Sequence, residues 1–174
     1  MSKKRIRVDL SPDGMDRAIE ALHEYEKWLK EKTILLLDKL ADHGYFITSV
    51  GFSDAVYDGT NDVNVKIEDR GQTTKAIVAV GNATLFIEFG TGVMYPNNHP
   101  EAAENGMIRG EYGKGKGKQR SWGYYGDPGT NGIVLHGKKG PFVITHGNPA
   151  NMPMYNAVKQ LEADLKQYVK EVFV

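Results

Sequence analysis

The 174-residue chain contains no cysteine, which excludes a disulfide framework, a thiolate zinc site and a cysteine nucleophile, and leaves the redox compartment open. It also lacks an excess of either charge. With 22 Lys and Arg against 22 Asp and Glu, no overall field draws it to nucleic acid or to a membrane, and any electrostatic attraction must be local. Long hydrophobic runs are missing too. No window approaches the roughly 18 apolar residues of a membrane span, and the basic start Lys3-Lys4-Arg5-Ile6-Arg7 is not followed by the apolar stretch of a secretory signal. These absences predict a soluble protein made in the cytoplasm, with no membrane partner. The length suits one domain over 1–174, large enough to bury a real core.

What is present begins with a helix start at Ser11-Pro12-Asp13: a hydroxyl to cap free N–H groups, a proline whose missing donor costs nothing there, and an acid where the helix dipole favours it. Met15, Ala18, Ile19, Leu22, Tyr25, Leu29, Leu36, Leu37 and Leu40 keep a helical stripe, with His43-Gly44 as the expected stop. About 32 residues at 1.5 Å each make a rod of roughly 48 Å, longer than the roughly 40 Å expected for a globule of this size. The helix must overhang, bend or lie along a partner, and its surplus apolar surface is one that a subunit partner would cover.

Tyr45 to Val50 reads as a strand, as do the alternating Val63, Val65 and Ile67 and the apolar run Ala76 to Val80. Gly81-Asn82 suits a two-residue hairpin turn into a further strand, Ala83 to Phe89. Residues 92 to 141 hold 12 of the 20 glycines, and six of the seven prolines lie between 96 and 153. Regular structure is therefore improbable there beyond a short hairpin, with Phe142 to Thr145 as a closing strand. The segment 93–141 reads as an extended Gly/Lys-rich loop between the last two strands, and loops of that length are usually functional or disordered. Asn151 or a neighbour caps a second helix with the stripe Met154, Ala157, Val158, Leu161, Leu165, Tyr168 and Val172. The fold class is α+β: a long N-terminal helix and a C-terminal helix packed on a small antiparallel sheet, with a long Gly-rich loop.

The run from Arg109 to Arg120 carries five positive residues against Glu111 and invites comparison with a phosphate-binding loop. The comparison fails, because Lys116 is followed by Gly117 rather than Ser or Thr and no helix follows. Two readings remain: a strap whose Arg109, Lys114, Lys116, Lys118 and Arg120 touch a polyanion or an acidic partner with Trp122 adding stacking area, or a solvated loop whose charges keep it soluble. Glu88 is the one acid in an apolar run. A buried carboxylate there suits acid–base work, while the plainer reading has it facing the polar side or accepting backbone N–H groups near Gly90 and Gly92. The five histidines show no ligand spacing, and no Gly-x-Ser-x-Gly elbow occurs. No catalytic, cofactor or metal residue is expected.

In order, Glu88-Phe89-Gly90-Thr91-Gly92, then His99-Pro100, then His146-Gly147-Asn148-Pro149-Ala150 with Pro153 leading into a C-terminal helix, the chain resembles the neck or tail-component proteins of long-tailed bacteriophages. The match covers roughly Ile77 to Pro100 and Thr145 to Ala157, and it departs where Met154 follows Pro153 in place of an aromatic. The resemblance implies a non-enzymatic virion protein at the head-tail interface. It would form a six- or twelvefold homo-oligomeric ring, with head-closure and tail-completion or tail-tube proteins as partners and non-specific DNA contact in the channel. The alternative is a small nucleic-acid-binding module using the Gly/Lys-rich loop; an acid–base enzyme using Glu88 is a distant third.

Overall fold

A computed structural model of the chain describes residues 8–95, 98–108, 110–111, 118–137 and 140–173. It is α+β: α1 (Pro12–Ser53), β1 (Asn64–Asp69), β2 (Lys75–Val80), α2 (Thr84–Phe89), β3 (Trp122–Tyr125), β4 (Ile133–Gly137), β5 (Gly140–Thr145) and α3 (Pro153–Phe173). The strands form two separate antiparallel sheets, a two-stranded β1-β2 and a three-stranded β3-β5-β4.

The first helix starts as its sequence dictates: Ser11 Oγ accepts the Gly14 N–H at 3.2 Å, with Pro12 at the first position. It does not stop at His43-Gly44. Its 42 residues make a rod of about 63 Å, and the expected strand Tyr45 to Val50 is its continuation. Ala41, Gly44, Thr48 and Phe52 are all buried, which is the spacing of one helical face. Gly44 is needed for close approach: a Cβ there would lie 2.8 Å from Leu161 Cδ1 of α3 and would also collide with Ile77 of β2.

The second correction concerns Ala83 to Phe89, where the strand after the expected hairpin is the short helix α2. The Asp62 carboxylate accepts the Asn82 and Ala83 N–H groups at 3.0 and 2.9 Å, taking up donors at the helix start. This turns the chain inward, so that Ala83 and Ile87 join Phe52, Ala55 and Val65 in the core. Ile87 and Phe52 are at most 2% exposed, and each such burial contributes about 1.5–3 kcal/mol.

The third correction is to the segment 93–141, which holds more regular structure than a short hairpin. The β4-β5 hairpin is there, closing at Gly137↔Gly140, but β3 also pairs along β5 from Trp122↔Thr145 to Tyr125↔Phe142. A turn over 99–107 is tied by Ala102 N–H to His99 O and Met107 N–H to Ala102 O.

α3 lies antiparallel on α1, in contact from Gly51 against Pro153 to Trp28, whose ring meets Phe173 edge-on at 5.9 Å. His43 and Asp164, 3.3 Å apart, and Lys39 and Glu171, 3.5 Å apart, flank this seam. On its other side α1 is tied to β2 by Lys75, whose ammonium sits 2.6 Å from Asp38 and 2.9 Å from Asp69. The first four turns of α1 project beyond the end of α3.

Candidate functional site

The two sequence blocks that bracket the middle of the chain meet in one junction. Thr91 and Asn148 form an isolated antiparallel bridge, with Thr91 N–H to Asn148 O at 2.8 Å and Asn148 N–H to Thr91 O at 3.1 Å. The Thr91 hydroxyl oxygen accepts both the Asn148 backbone N–H and its Nδ2–H. Asn148 Oδ1 in turn accepts the buried Asp58 N–H at 2.7 Å. One asparagine thus joins the end of α2, the β5–α3 connection and the loop after α1.

Glycine is obligatory at this crossing. Gly90 has φ +75°, and a Cβ on it would stand 2.7 Å from both Asn148 O and Ala150 N. Gly147, at φ +89°, leaves no room for a Cβ beside Thr91 and Gly92. Both demands, a left-handed backbone and backbone-to-backbone contact, are ones only glycine meets.

Glu88 stands at the end of α2 and is 5% exposed. Its Oε2 accepts the Met154 N–H at 2.9 Å, and its Oε1 accepts the Tyr155 N–H at 3.0 Å and lies 3.1 Å from His99 Nε2. Because His99 Nδ1 accepts the Glu101 N–H at 3.1 Å, the ring proton sits on Nε2 and is donated to the carboxylate. Glu88 therefore holds the first turn of α3 through its orphan N–H groups, where a carboxylate is favoured, and fixes the 99–107 turn through His99. The sequence reading that had Glu88 accept backbone N–H groups agrees in kind. The donors belong to α3 rather than to the glycine turn.

The Phe89 ring meets the imidazole at a tilt and the Tyr155 ring meets it edge-on, at centroid distances of 4.3 and 5.3 Å. Beside this cluster a cavity of about 290 Å³ is lined by Thr84, Leu85, Glu88, His99, Met154 and Val158, among others. With three donors on Glu88, the arrangement works as a clamp that orients α3. Among the described residues no group of three or more His, Asp or Glu is placed to hold a metal ion.

The remaining motif residues take supporting places. Pro153, buried, opens α3, Pro149 and Ala150 are half-buried, and Pro100 is exposed. Of the basic run, Lys118 and Arg120 are exposed, and the Arg120 carbonyl lies 3.2 Å from His146 Nδ1. Arg109, Lys114 and Lys116 lie outside the described residues. Trp122 is half-buried, its ring end within 3.3 Å of where a Gly92 Cβ would be; it packs on the glycine crossing.

Sequence reasoning missed Asp58, and it expected Asn151 or a neighbour to cap the second helix, whereas the Asn151 side chain bonds the loop after α1. Asn151 Nδ2 bonds Val56 O and its Oδ1 accepts Val56 N–H, while its backbone N–H bonds Ile87 O. The Asp58 carboxylate is buried with no hydrogen-bond partner among the described residues. Burial pushes it above the usual carboxylate range, against a smaller opposing pull from the Thr145 hydroxyl, which lies near without reaching hydrogen-bond geometry, and from His146. Burial and the neighbouring Asp58 and Asp127 carry the Tyr124 phenol up to about 12. One of three Asp in the connection after α1, and followed directly by Gly59, Asp58 reads as a turn residue and gives no sequence signal for such burial.

Comparisons with family models, with curated proteins and with solved structures return no match to this chain.

Proposed function

We propose that the chain is a structural subunit of a bacteriophage neck, a tail-completion or head-to-tail joining protein that assembles as a closed ring around the DNA channel. The observation that carries this reading is the junction at Thr91 and Asn148. The motif blocks on which the resemblance rests are brought together as one unit, with Gly90, Gly92 and Gly147 at the crossing and Glu88 and His99 clamping α3. A set of short motifs that share one conformational task is a more specific signature than the same motifs scattered over the fold.

The β3-β5-β4 sheet suits ring formation. Neither β3 nor β4 has a second strand neighbour among the described residues, so the sheet offers two different edges on opposite sides. A contact between unlike edges is head-to-tail, and such contacts generate rings when they close. Ile133, Val134 and Leu135 of β4 are exposed, an apolar edge of the kind that pairs with another chain. In the six- or twelvefold ring, head-closure proteins lie on one side and tail-completion or tail-tube proteins on the other. Lys118 and Arg120, with Arg109, Lys114 and Lys116, supply salt-screened contacts to DNA phosphates.

Depleting the protein from an infected cell is the test. The expected product is filled heads beside unjoined tails; infectious particles of normal yield and form made without it would refute the proposal. Tight, salt-sensitive DNA binding by a free subunit that is absent from virions would replace it with the nucleic-acid module.

A further inference from the structure

The chain contains two Asn-Gly steps, Asn105-Gly106 and Asn131-Gly132. In such a step the glycine nitrogen, with no Cβ beside it to restrict the backbone, can reach the side-chain carbon of the preceding asparagine and close a five-membered succinimide ring. The fold treats the two steps differently. Asn105 and Gly106 end the 99–107 turn and are exposed. Gly106 has φ +69°, and a Cβ built on it would meet nothing within 4 Å, so the backbone there has room to turn toward the Asn105 side chain. Two bonds hold the step closed: Gly106 N–H to Ala103 O at 3.2 Å and Asn105 Nδ2–H to Glu101 O at 2.9 Å. Both acceptors belong to exposed residues. Asn131 and Gly132, by contrast, are half-buried. Gly132 N–H is bonded to Pro128 O at 2.9 Å, and Asn131 Nδ2 donates to the Tyr95 hydroxyl at 2.8 Å. A Cβ on Gly132 would stand 2.5 Å from Pro128 O and 2.6 Å from Cγ1 of the fully buried Val143. A backbone so enclosed has no room to swing toward its own side chain.

We infer that Asn105 is a site of spontaneous deamidation in the folded protein and that Asn131 is protected from it. The reaction needs only water and hydroxide. Hydroxide takes the Gly106 amide proton, and the nitrogen attacks Asn105 Cγ. The new C–N bond closes the ring as the Cγ–Nδ2 bond breaks, and Nδ2, taking protons from water, leaves as ammonia. A second water then opens the succinimide: at the former side-chain carbonyl it gives aspartate, at the main-chain carbonyl isoaspartate. Nothing is oxidised or reduced. Isoaspartate lengthens the main chain by one carbon, so the bonds that close the turn, Gly106 N–H to Ala103 O and Met107 N–H to Ala102 O at 2.7 Å, lose their register. Either product removes the amide donor from Glu101 O and adds a negative charge on the wall of the cavity that Glu101 and Asn105 both line. The modification is thus an irreversible loosening of the turn that His99 ties to Glu88, and it stands whether or not the ring proposal does.

The test incubates the full chain, folded and unfolded in urea, at pH 8 in water enriched in oxygen-18, followed by digestion and mass spectrometry. One heavy oxygen enters for each succinimide opened, and fragment spectra assign the residue. In the folded chain, conversion at Asn105 is expected to outpace that at Asn131 by about tenfold or more, the ratio set when at least one further hydrogen bond has to open. In urea the difference is expected to vanish. Tyr95→Phe, which frees the Asn131 side chain, is expected to raise the rate at Asn131 in the folded chain and leave Asn105 unchanged. The isoaspartyl product, separated by its added charge, is expected to lose hydrogen-exchange protection at Met107, whereas Asn105→Asp, with the main chain at its original length, keeps it. Conversion at Asn131 as fast as at Asn105 in the folded chain, or none at Asn105 over the time in which the unfolded chain converts, would overturn the inference. Unchanged protection at Met107 in the isoaspartyl product would overturn the loosening of the turn.

Discussion

Glu88 is buried at the end of an apolar run, yet each of its oxygens has a donor, two of them backbone N–H groups of α3. Glu88→Gln keeps the shape but turns an amide donor toward those N–H groups. It is expected to cost about 1–3 kcal/mol, the price of a buried polar group without its partner, read as a lower urea midpoint with unchanged m. Asp58 predicts the opposite sign. Its folded pKa is raised, so its contribution to stability is fully present below the unfolded value near 3.8 and is lost as pH rises through the folded one. Asp58→Asn is expected to raise the melting temperature at pH 7.5 and to show a much smaller gain at pH 4. An equal gain at both values would contradict the burial argument. Glu88 was legible in the sequence because an acid among Leu85, Phe86, Ile87 and Phe89 is an anomaly. Its donors were not, because backbone N–H groups carry no residue signature, and Asp58 gave no signal at all.

Among the elements, Gly44 separates what was legible from what was not. A His-Gly pair after a leucine stripe reads as a helix end, and Tyr45 to Val50 has strand composition; both local signals lose to tertiary packing, which needs a residue without a side chain between Ile77 and Leu161. The signal that favoured helix was the period of Ala41, Gly44, Thr48 and Phe52. Gly44→Val is accordingly expected to destabilise by about 1–3 kcal/mol through overpacking, in chemical denaturation, although an exposed helical glycine would gain from the same change. α2 was hidden for a different reason. Six residues are too few to show a helical period, and its capping carboxylate, Asp62, is twenty residues upstream of Asn82. The α3 stripe and β1 were legible by their period, and β2 and β5 as short apolar, β-branched runs.

At the scale of the whole molecule, the chain combines a compact clamp at Thr91, Glu88 and Asn148 with surfaces that remain exposed: the α1 overhang and the apolar edge of β4. With a net charge of zero a single chain has no overall field for DNA, so under the ring proposal any DNA affinity would come from several copies multiplying a weak contact. Changing Lys114, Lys116, Lys118 and Arg120 together to Gln is expected to leave the unfolding free energy within about 0.5 kcal/mol of wild type while reducing DNA retention in assembled particles. Equal loss of assembly and retention would assign these residues to subunit contacts instead. The central claim is location, and immunogold labelling of purified virions, with the protein's presence verified by mass spectrometry, measures it directly. The account predicts label at the head-tail joint, in six or twelve copies per particle by quantitative mass spectrometry; purified virions that carry none of the protein, or carry it away from that joint, would contradict it.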